Sequence, residues 1–201
     1  MSDLADRLRA ALRVEGPPSS DYDLNRDVVL PEGRVLRDAA VLIPVVDRPE
    51  GASVILTKRS SALKHHPGQI AFPGGKVDAG DGSPEAAALR EAFEEIALGK
   101  DEVEVLGSLP SHETVTGFQV TPVLAMVSPK FQPHPEAGEV AEVFETPLAH
   151  LLRGENYQIE SRRWRGQRRY YFTVPWGPYY IWGATARMLR ALADRMGHGE
   201  G

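Results

Sequence analysis

Apolar residues recur along this chain at two spacings, and the alternation between them outlines the fold. Leu4, Leu8, Ala11 and Leu12 share one face of a helix over residues 2–14. Gly16-Pro17-Pro18-Ser19-Ser20 then breaks the pattern. Residues 1–20 therefore read as an N-terminal helix and linker, and residues 21–201 as a single domain. The helix is expected to cap that domain, with a partner surface as the alternative. Residues 38–47 and 52–58 are rich in Ala, Val, Leu and Ile and read as two strands joined by Arg48-Pro49-Glu50-Gly51. A short strand is expected at 69–72, and longer ones at 103–109 and 118–127. The polar stretch 111–117 between those two reads as a loop over a site. Strands follow at 140–145, 157–160, 169–174 and 179–182, with a helix opened by Thr146-Pro147 and running to about 152. A closing helix over 183–196 carries an apolar stripe of Leu189, Leu192, Ala193 and Met196. Interleaved helices and strands without an internal repeat predict an α/β fold of the α/β/α sandwich type.

Residues 83–96 are the most informative helix. Ser83 is a good capping residue and Pro84 suits the first helical position. Glu91, Glu94 and Glu95 stand at i, i+3 and i+4, on one side of the helix. Ala86, Leu89, Phe93 and Ile96 project the other way and are expected to pack on the core. Like charges at this spacing repel by a few tenths of a kcal/mol per pair. A hard divalent ion such as Mg²⁺ or Mn²⁺ would remove that cost, since it takes oxygen ligands alongside substrate phosphates. A solvated acidic helix face is the alternative reading of Arg90-Glu91-Ala92-Phe93-Glu94-Glu95. Phe72-Pro73-Gly74-Gly75 just upstream favours the site, because glycines let backbone groups approach where a Cβ would clash.

Gly75 through Leu98 resembles the Nudix box, G-x5-E-x7-R-E-U-x-E-E-x-G-U with U aliphatic, and the Arg-Glu-x-x-Glu-Glu core matches in full. Two positions depart from it. Asp81 stands where the first Glu is expected, one residue further from Arg90 than usual. Ala97 replaces the glycine that ends the helix with a positive φ, a conformation that costs Ala about 1 kcal/mol. Ile55-Leu56-Thr57-Lys58-Arg59-Ser60, Lys64, Gly68 and Phe72-Pro73-Gly74-Gly75 resemble the signature of the coenzyme A pyrophosphatase branch, L-L-T-x-R-(S/A)-x3-R-x3-G-x3-F-P-G-G. Lys64 stands there for Arg, which keeps the charge and loses the planar fork. Ile181-Trp182-Gly183-Ala184-Thr185-Ala186 is also similar to that branch. The resemblance implies a mixed sheet, a loop-helix-loop metal site, and hydrolysis of the coenzyme A diphosphate to 4′-phosphopantetheine and 3′,5′-ADP.

Glu91 and Glu95 are then expected as metal ligands, with Glu94 as a further ligand or a holder of water. The resemblance adds the Gly75 carbonyl. Arg90, to the side of the acidic face, reads as an orienting partner. A carboxylate must take the proton from water. Glu136, Glu139, Glu142 and Glu113 are candidates, and Glu139 is preferred. Arg59, Lys64, His66, Gln69, Gly74 and Gly75 are assigned to substrate, with His65 beside them. A transition-metal site at His65-His66 is not expected, for want of a third ligand. A second basic group, Arg162, Arg163, Arg165, Arg168 and Arg169, is interleaved with Trp164, Tyr170 and Tyr171. It reads as a solvated hairpin, a contact to the adenine end, or a nucleic-acid surface. Trp176, Tyr179, Tyr180 and Trp182 read as packing residues.

Composition narrows the classes. The chain has 201 residues, 23 basic against 28 acidic, for a net charge of −5, which disfavours a nucleic-acid partner. No cysteine is present, so disulfides and thiolate catalysis are excluded. No apolar run approaches the roughly 18 residues of a membrane span. The first 16 residues have early acids and no apolar leader core, which predicts a cytoplasmic protein. A small-molecule substrate and a possible homodimer complete the expectation. Two rivals remain: a Nudix hydrolase acting on ADP-ribose, NADH or a nucleoside triphosphate, and a non-catalytic nucleotide-binding Nudix module.

Overall fold

The computed structural model describes residues 3–62, 67–164 and 166–198. Its frame is a nine-stranded mixed sheet centred on β2 (Arg37–Arg48). β2 turns tightly into β3 (Gly51–Arg59), and the two pair only over Val45–Arg48 and Gly51–Val54. Beyond Val45 the strands part, and the fork admits the chain that follows. β4 (Ile70–Ala71) lies on β3, β5 (Gly74–Lys76) lies on β2 from Ala39 to Val41, and the Leu42 N–H donates to the Pro73 carbonyl at 2.8 Å. The glycine loop is thus stitched into the middle of the sheet.

The other edge of β2 runs parallel to β8 (Phe118–Val127) along its whole length. β6 (Val103–Ser108) and β7 (His112–Glu113) pair with β8, and β9 (Val140–Pro147) covers the outer edge of β3. β1 (Ser19–Ser20) joins β7 in parallel.

Side chains of β2 alternate between two cores, as a strand covered on both faces must. Ile43 and Val45 point to a core shared with α1 (Asp3–Arg13) and α4 (Gly183–His198), where Leu8, Ala11, Leu189, Leu192 and Met196 are buried. Ala40, Leu42 and Val46 point to a core shared with α2 (Pro84–Ile96) through Ala87, Ala88, Ala92 and Ile96. Each large aliphatic chain fully withdrawn from water contributes about 1.5–3 kcal/mol. The result is the predicted α/β/α sandwich, with α1 docked on its core. A short helix, α3 (Leu148–Leu151), follows β9 and packs on the same side as α4.

Several expectations need correction. Phe93, placed by the sequence on the packed side of α2, is 61% exposed. The buried stripe is Ala87, Ala88, Ala92, Glu95 and Ile96. The helix is rolled so that Glu95 faces the sheet fork, where a backbone N–H replaces an apolar partner. Residues 111–117 are not all loop: His112 and Glu113 form β7, and His112 is wholly buried. Residues 157–160 and 169–174 belong to a longer antiparallel hairpin, β10 (Gln158–Trp164) and β11 (Gln167–Thr173). Residues 179–182 form only isolated bridges, Thr173 to Trp182 and Trp176 to Tyr179. Residues 16–20, read as linker, end in β1. No helix among the described residues is long and apolar enough to cross a membrane.

Candidate active site

The fork dictates glycine at two positions. A Cβ on Gly74 would lie 2.4 Å from the Ala40 carbonyl oxygen and 2.6 Å from the Val41 Cα, both backbone atoms of β2. A Cβ on Gly75 would instead lie 2.4 Å from Oε1 of Glu91. Three alanines on the buried face of α2 hold the helix close to the sheet, and its carboxylates fill the space the glycines leave.

Glu95 is 4% exposed, and its Oε2 accepts the Gly74 N–H at 3.2 Å. Burial pushes its carboxyl up to about 7; Glu91 and Glu139 add to the rise, while the Gly74 N–H and Arg59 oppose it. Burial also raises Glu91, against the pull of Arg90. Glu94 is the outermost of the three, with its side chain half exposed.

Arg90 organises the acidic face. Its Nε and Nη2 donate to the two oxygens of Asp81 at 2.7 and 3.0 Å, a planar two-point contact. Nη1 donates to Glu91 at 2.9 Å and Glu94 at 3.1 Å, and Nη2 also donates to the Lys76 carbonyl at 3.1 Å. These contacts use all five donors of the guanidinium, leaving none for a substrate. The Arg90 contact holds Asp81 down to about 2. Asp in place of the box Glu, with the extra residue before Arg90, still reaches the guanidinium.

The end of α2 positions a second acidic segment. Ala97 is the one non-glycine residue of positive φ among the described residues (φ 60°). With it, the Ala97 N–H reaches the Phe93 carbonyl and the Leu98 N–H the Ala92 carbonyl, closing the helix in a left-handed cap. The Glu95 and Ile96 carbonyls accept from the N–H groups of Glu136 and His134, at 2.9 and 3.0 Å. The loop that follows β8 is therefore tied to the acidic helix α2. Within it, the Glu136 carboxylate accepts the Gly138 and Glu139 N–H groups. Glu142 accepts the Tyr179 hydroxyl, and Glu113 pairs with Arg34 at 2.5 Å. Of the four later acids, Glu139 is the one whose charge acts on both Glu91 and Glu95.

Arg59, at the end of β3, acts on Glu95 from the other side of the fork. Gln69 lines a cavity of about 290 Å³ that opens beside Val41 and Phe72, next to the glycine loop. Lys64, His65, His66 and Arg165 lie outside the described residues. Sequence reasoning missed two groups. Trp182 was read as packing, yet it lines that cavity together with Arg162 and Arg169. The basic hairpin had a contact to the adenine end among its three readings, and the register now sets Arg162 opposite Arg169. His112 gave no signal: nothing in a polar segment marks a histidine for complete burial.

The donor set suits a hard cation. Two half-buried to buried carboxylates with raised pKa lie against a backbone that lacks side chains, so a divalent ion would replace an unfavourable desolvation with coordination. Among the described residues no three His, Asp or Glu side chains converge into a ready-made cage. Backbone oxygen, water and substrate phosphate would complete the shell, the usual arrangement for Mg²⁺.

The NUDIX domain family matches residues 36–165 of the chain, which spans the fork, the acidic helix and the first strand of the hairpin. The chain belongs to this family and is a Nudix hydrolase. A Nudix hydrolase NudL of Cronobacter sakazakii is 44% identical over 193 residues, covering 96% of this chain and 94% of that protein. One of Enterobacter sp. is 47% identical over 161 residues, covering 80% and 83%. Among solved structures, the Nudix hydrolase RenU of M. smegmatis superposes with a TM-score of 0.50 at 25% identity, over 60% of this chain and 82% of that one. The MutT protein of Methanosarcina mazei Go1 gives a TM-score of 0.52 at 16% identity, over 85% and 99%, a likeness of fold. Enzymes of this class generally use divalent metal ions.

Proposed function

We propose that the chain hydrolyses the diphosphate of coenzyme A or its derivatives, with Mg²⁺ or Mn²⁺. One observation carries the reading. The signature that resembles the coenzyme A branch and the Nudix box meet at a single fork: Arg59 and Gly74 come from the signature, Glu91 and Glu95 from the box. Arg59 and the Gly74 N–H both act on the same buried carboxylate.

A bound divalent ion supplies charge neutralisation on the diphosphate and acidifies water. Glu91 and Glu95, with the Gly75 carbonyl, would hold it, and Glu94 would support its outer side. Arg90 fixes the rotamers of Glu91 and Glu94. Glu139 is the base, taking a proton from the attacking water. Water oxygen forms the new bond to phosphorus as the bridging P–O bond breaks, giving 4′-phosphopantetheine and 3′,5′-ADP. Arg59, Lys64, His66 and Gln69 hold the substrate.

The test is product analysis by chromatography and mass spectrometry across coenzyme A, ADP-ribose, NADH and nucleoside triphosphates, with and without each metal. Metal-dependent release of the two products, fastest for coenzyme A, supports the reading. Faster cleavage of another member replaces the substrate and keeps the chemistry. Glu139→Gln separates the base from the other acids: turnover should fall at least a hundredfold, with metal affinity retained.

A further inference from the structure

The cavity under the hairpin has a character opposite to that of the metal fork. Arg162 and Arg169 are direct cross-strand partners, so their side chains leave the same face of the β10–β11 ribbon, and both line the cavity. Like charges placed directly opposite one another destabilise a strand pair. The same wall carries Trp182, with the Arg162 guanidinium 4.2 Å from its ring centroid and 5.9 Å from that of Tyr171. Tyr171 meets Trp182 edge-on at 5.2 Å. Gly183, Ala184 and Thr185, the first turn of the 16-residue helix α4, also line the cavity. A helix start adds positive potential to the two arginines. Asp21, the acid in the lining, is already engaged: its Oδ1 meets Nε2 of His112 at 3.2 Å, and its Oδ2 accepts the Val115 N–H at 2.8 Å.

The geometry points to this cavity as the seat of a nucleoside bearing a phosphate monoester on its ribose, with the base against Trp182 and the monoester at Arg162 and Arg169. An aromatic wall suits a base, which has a π-face, better than a flexible amide chain. Two juxtaposed guanidinium forks suit a dianionic phosphate. The volume, about 290 Å³, suits one nucleoside and not a whole dinucleotide. The substrate would then lie between two sites of opposite charge, its diphosphate at the acidic fork and its monoester at the basic hairpin. The hairpin arginines, and not the segment after β3, would select for the extra phosphate. This inference rests on the coenzyme A reading for the identity of the substrate, and not for the chemistry of the cavity.

The test is calorimetry of metal-free protein with 3′,5′-ADP and with 5′-AMP. Wild-type protein should bind 3′,5′-ADP at least tenfold more tightly. Arg162→Ala and Arg169→Ala should each erase most of that preference, and Arg162→Lys and Arg169→Lys should keep part of it, which separates charge from fold. In turnover, the ratio of kcat/KM for coenzyme A to that for its 3′-dephospho form should collapse toward one in the alanine variants. Equal binding of the two nucleotides by wild-type protein, or a preference that survives in both alanine variants, overturns the assignment. Tight, hairpin-dependent binding of 3′,5′-ADP in a protein that does not cleave coenzyme A would sustain the cavity and remove the coenzyme A reading. Cleavage of coenzyme A without the nucleotide preference would do the reverse.

Discussion

The Glu91 carboxylate occupies the space that a side chain on Gly75 would need, with Oε1 2.4 Å from the ideal Cβ position. The glycine is therefore a device for placing a carboxylate. At Gly74 the conflict is with the backbone of β2.

The two glycines should respond differently to alanine. In Gly75→Ala the obstacle is the far end of a flexible side chain, so Glu91 swings away and the fold survives. Mn²⁺ affinity, read by electron paramagnetic resonance, should fall tenfold or more, and kcat/KM about a hundredfold. In Gly74→Ala the obstacle cannot move without disturbing the central strand. Urea denaturation should show a loss of about 2 kcal/mol or more.

Glu95 couples stability to pH. Its carboxyl is raised from 4.5 to about 7, so between these values the folded state holds a proton that the unfolded state has lost. The stability contribution is fully present below about 4.5 and is lost as pH rises through about 7. Urea titrations in a chelator should show metal-free protein weakening across that window, and Glu95→Gln should flatten the slope. The variant should fold at least as well at pH 8 and lose turnover by orders of magnitude. Added Mg²⁺ should stabilise wild-type protein more at pH 8 than at pH 5.5, because ion and proton compete for the same oxygens.

Ala97 carries a strain that glycine would relieve. Its φ of 60° belongs to the left-handed cap that ends α2, beside the Glu95 and Ile96 carbonyls that hold the 134–136 segment. Ala97→Gly should raise stability by about 0.5–1 kcal/mol, the αL cost less the added freedom of the unfolded chain. Thermal melting of the two proteins checks this. A change of opposite sign would mean that the turn is not strained.

His112 should act on substrate affinity through structure. Its Nδ1 lies 2.9 Å from Ser19 Oγ and its Nε2 3.2 Å from Asp21, so it clasps β1 to the segment that forms the cavity wall at Thr114 to Thr116. His112→Ala leaves buried Ser19 and partly buried Asp21 without their bond and opens a void, a loss of about 2–4 kcal/mol. KM should rise more than kcat falls, since the wall moves and the acidic fork does not. Steady-state kinetics on the folded fraction would separate the two constants.

Much of this was legible in the residues. Continuous apolar runs defined β2, β3 and β8 because both their faces are buried, and Ser83-Pro84 defined the start of α2 because capping is local. The spacing of Glu91 and Glu95 identified one helix face. The roll of that helix was not legible: Phe93 outside and Glu95 inside reverse the hydrophobic pattern, and the reason, the Gly74 N–H, comes from another element. Trp182 looks like a packing residue alone, and Arg162 and Arg169 fit a solvated hairpin as well as an adenine contact or a nucleic-acid surface. Only the hairpin register and the crossing of α4 bring them to one cavity.

β2 draws its longest pairing from β8, a strand made much later in the chain, and the short β1 waits for β7 in the same way. Contacts between distant segments close large loops before they return any energy. On a ribosome, the β2–β3 hairpin and α2 would be complete while the far edge of β2 still lacked its neighbour. That edge is apolar and unpaired during synthesis, so the nascent chain depends on speed, or on a chaperone, until β8 emerges to cover it.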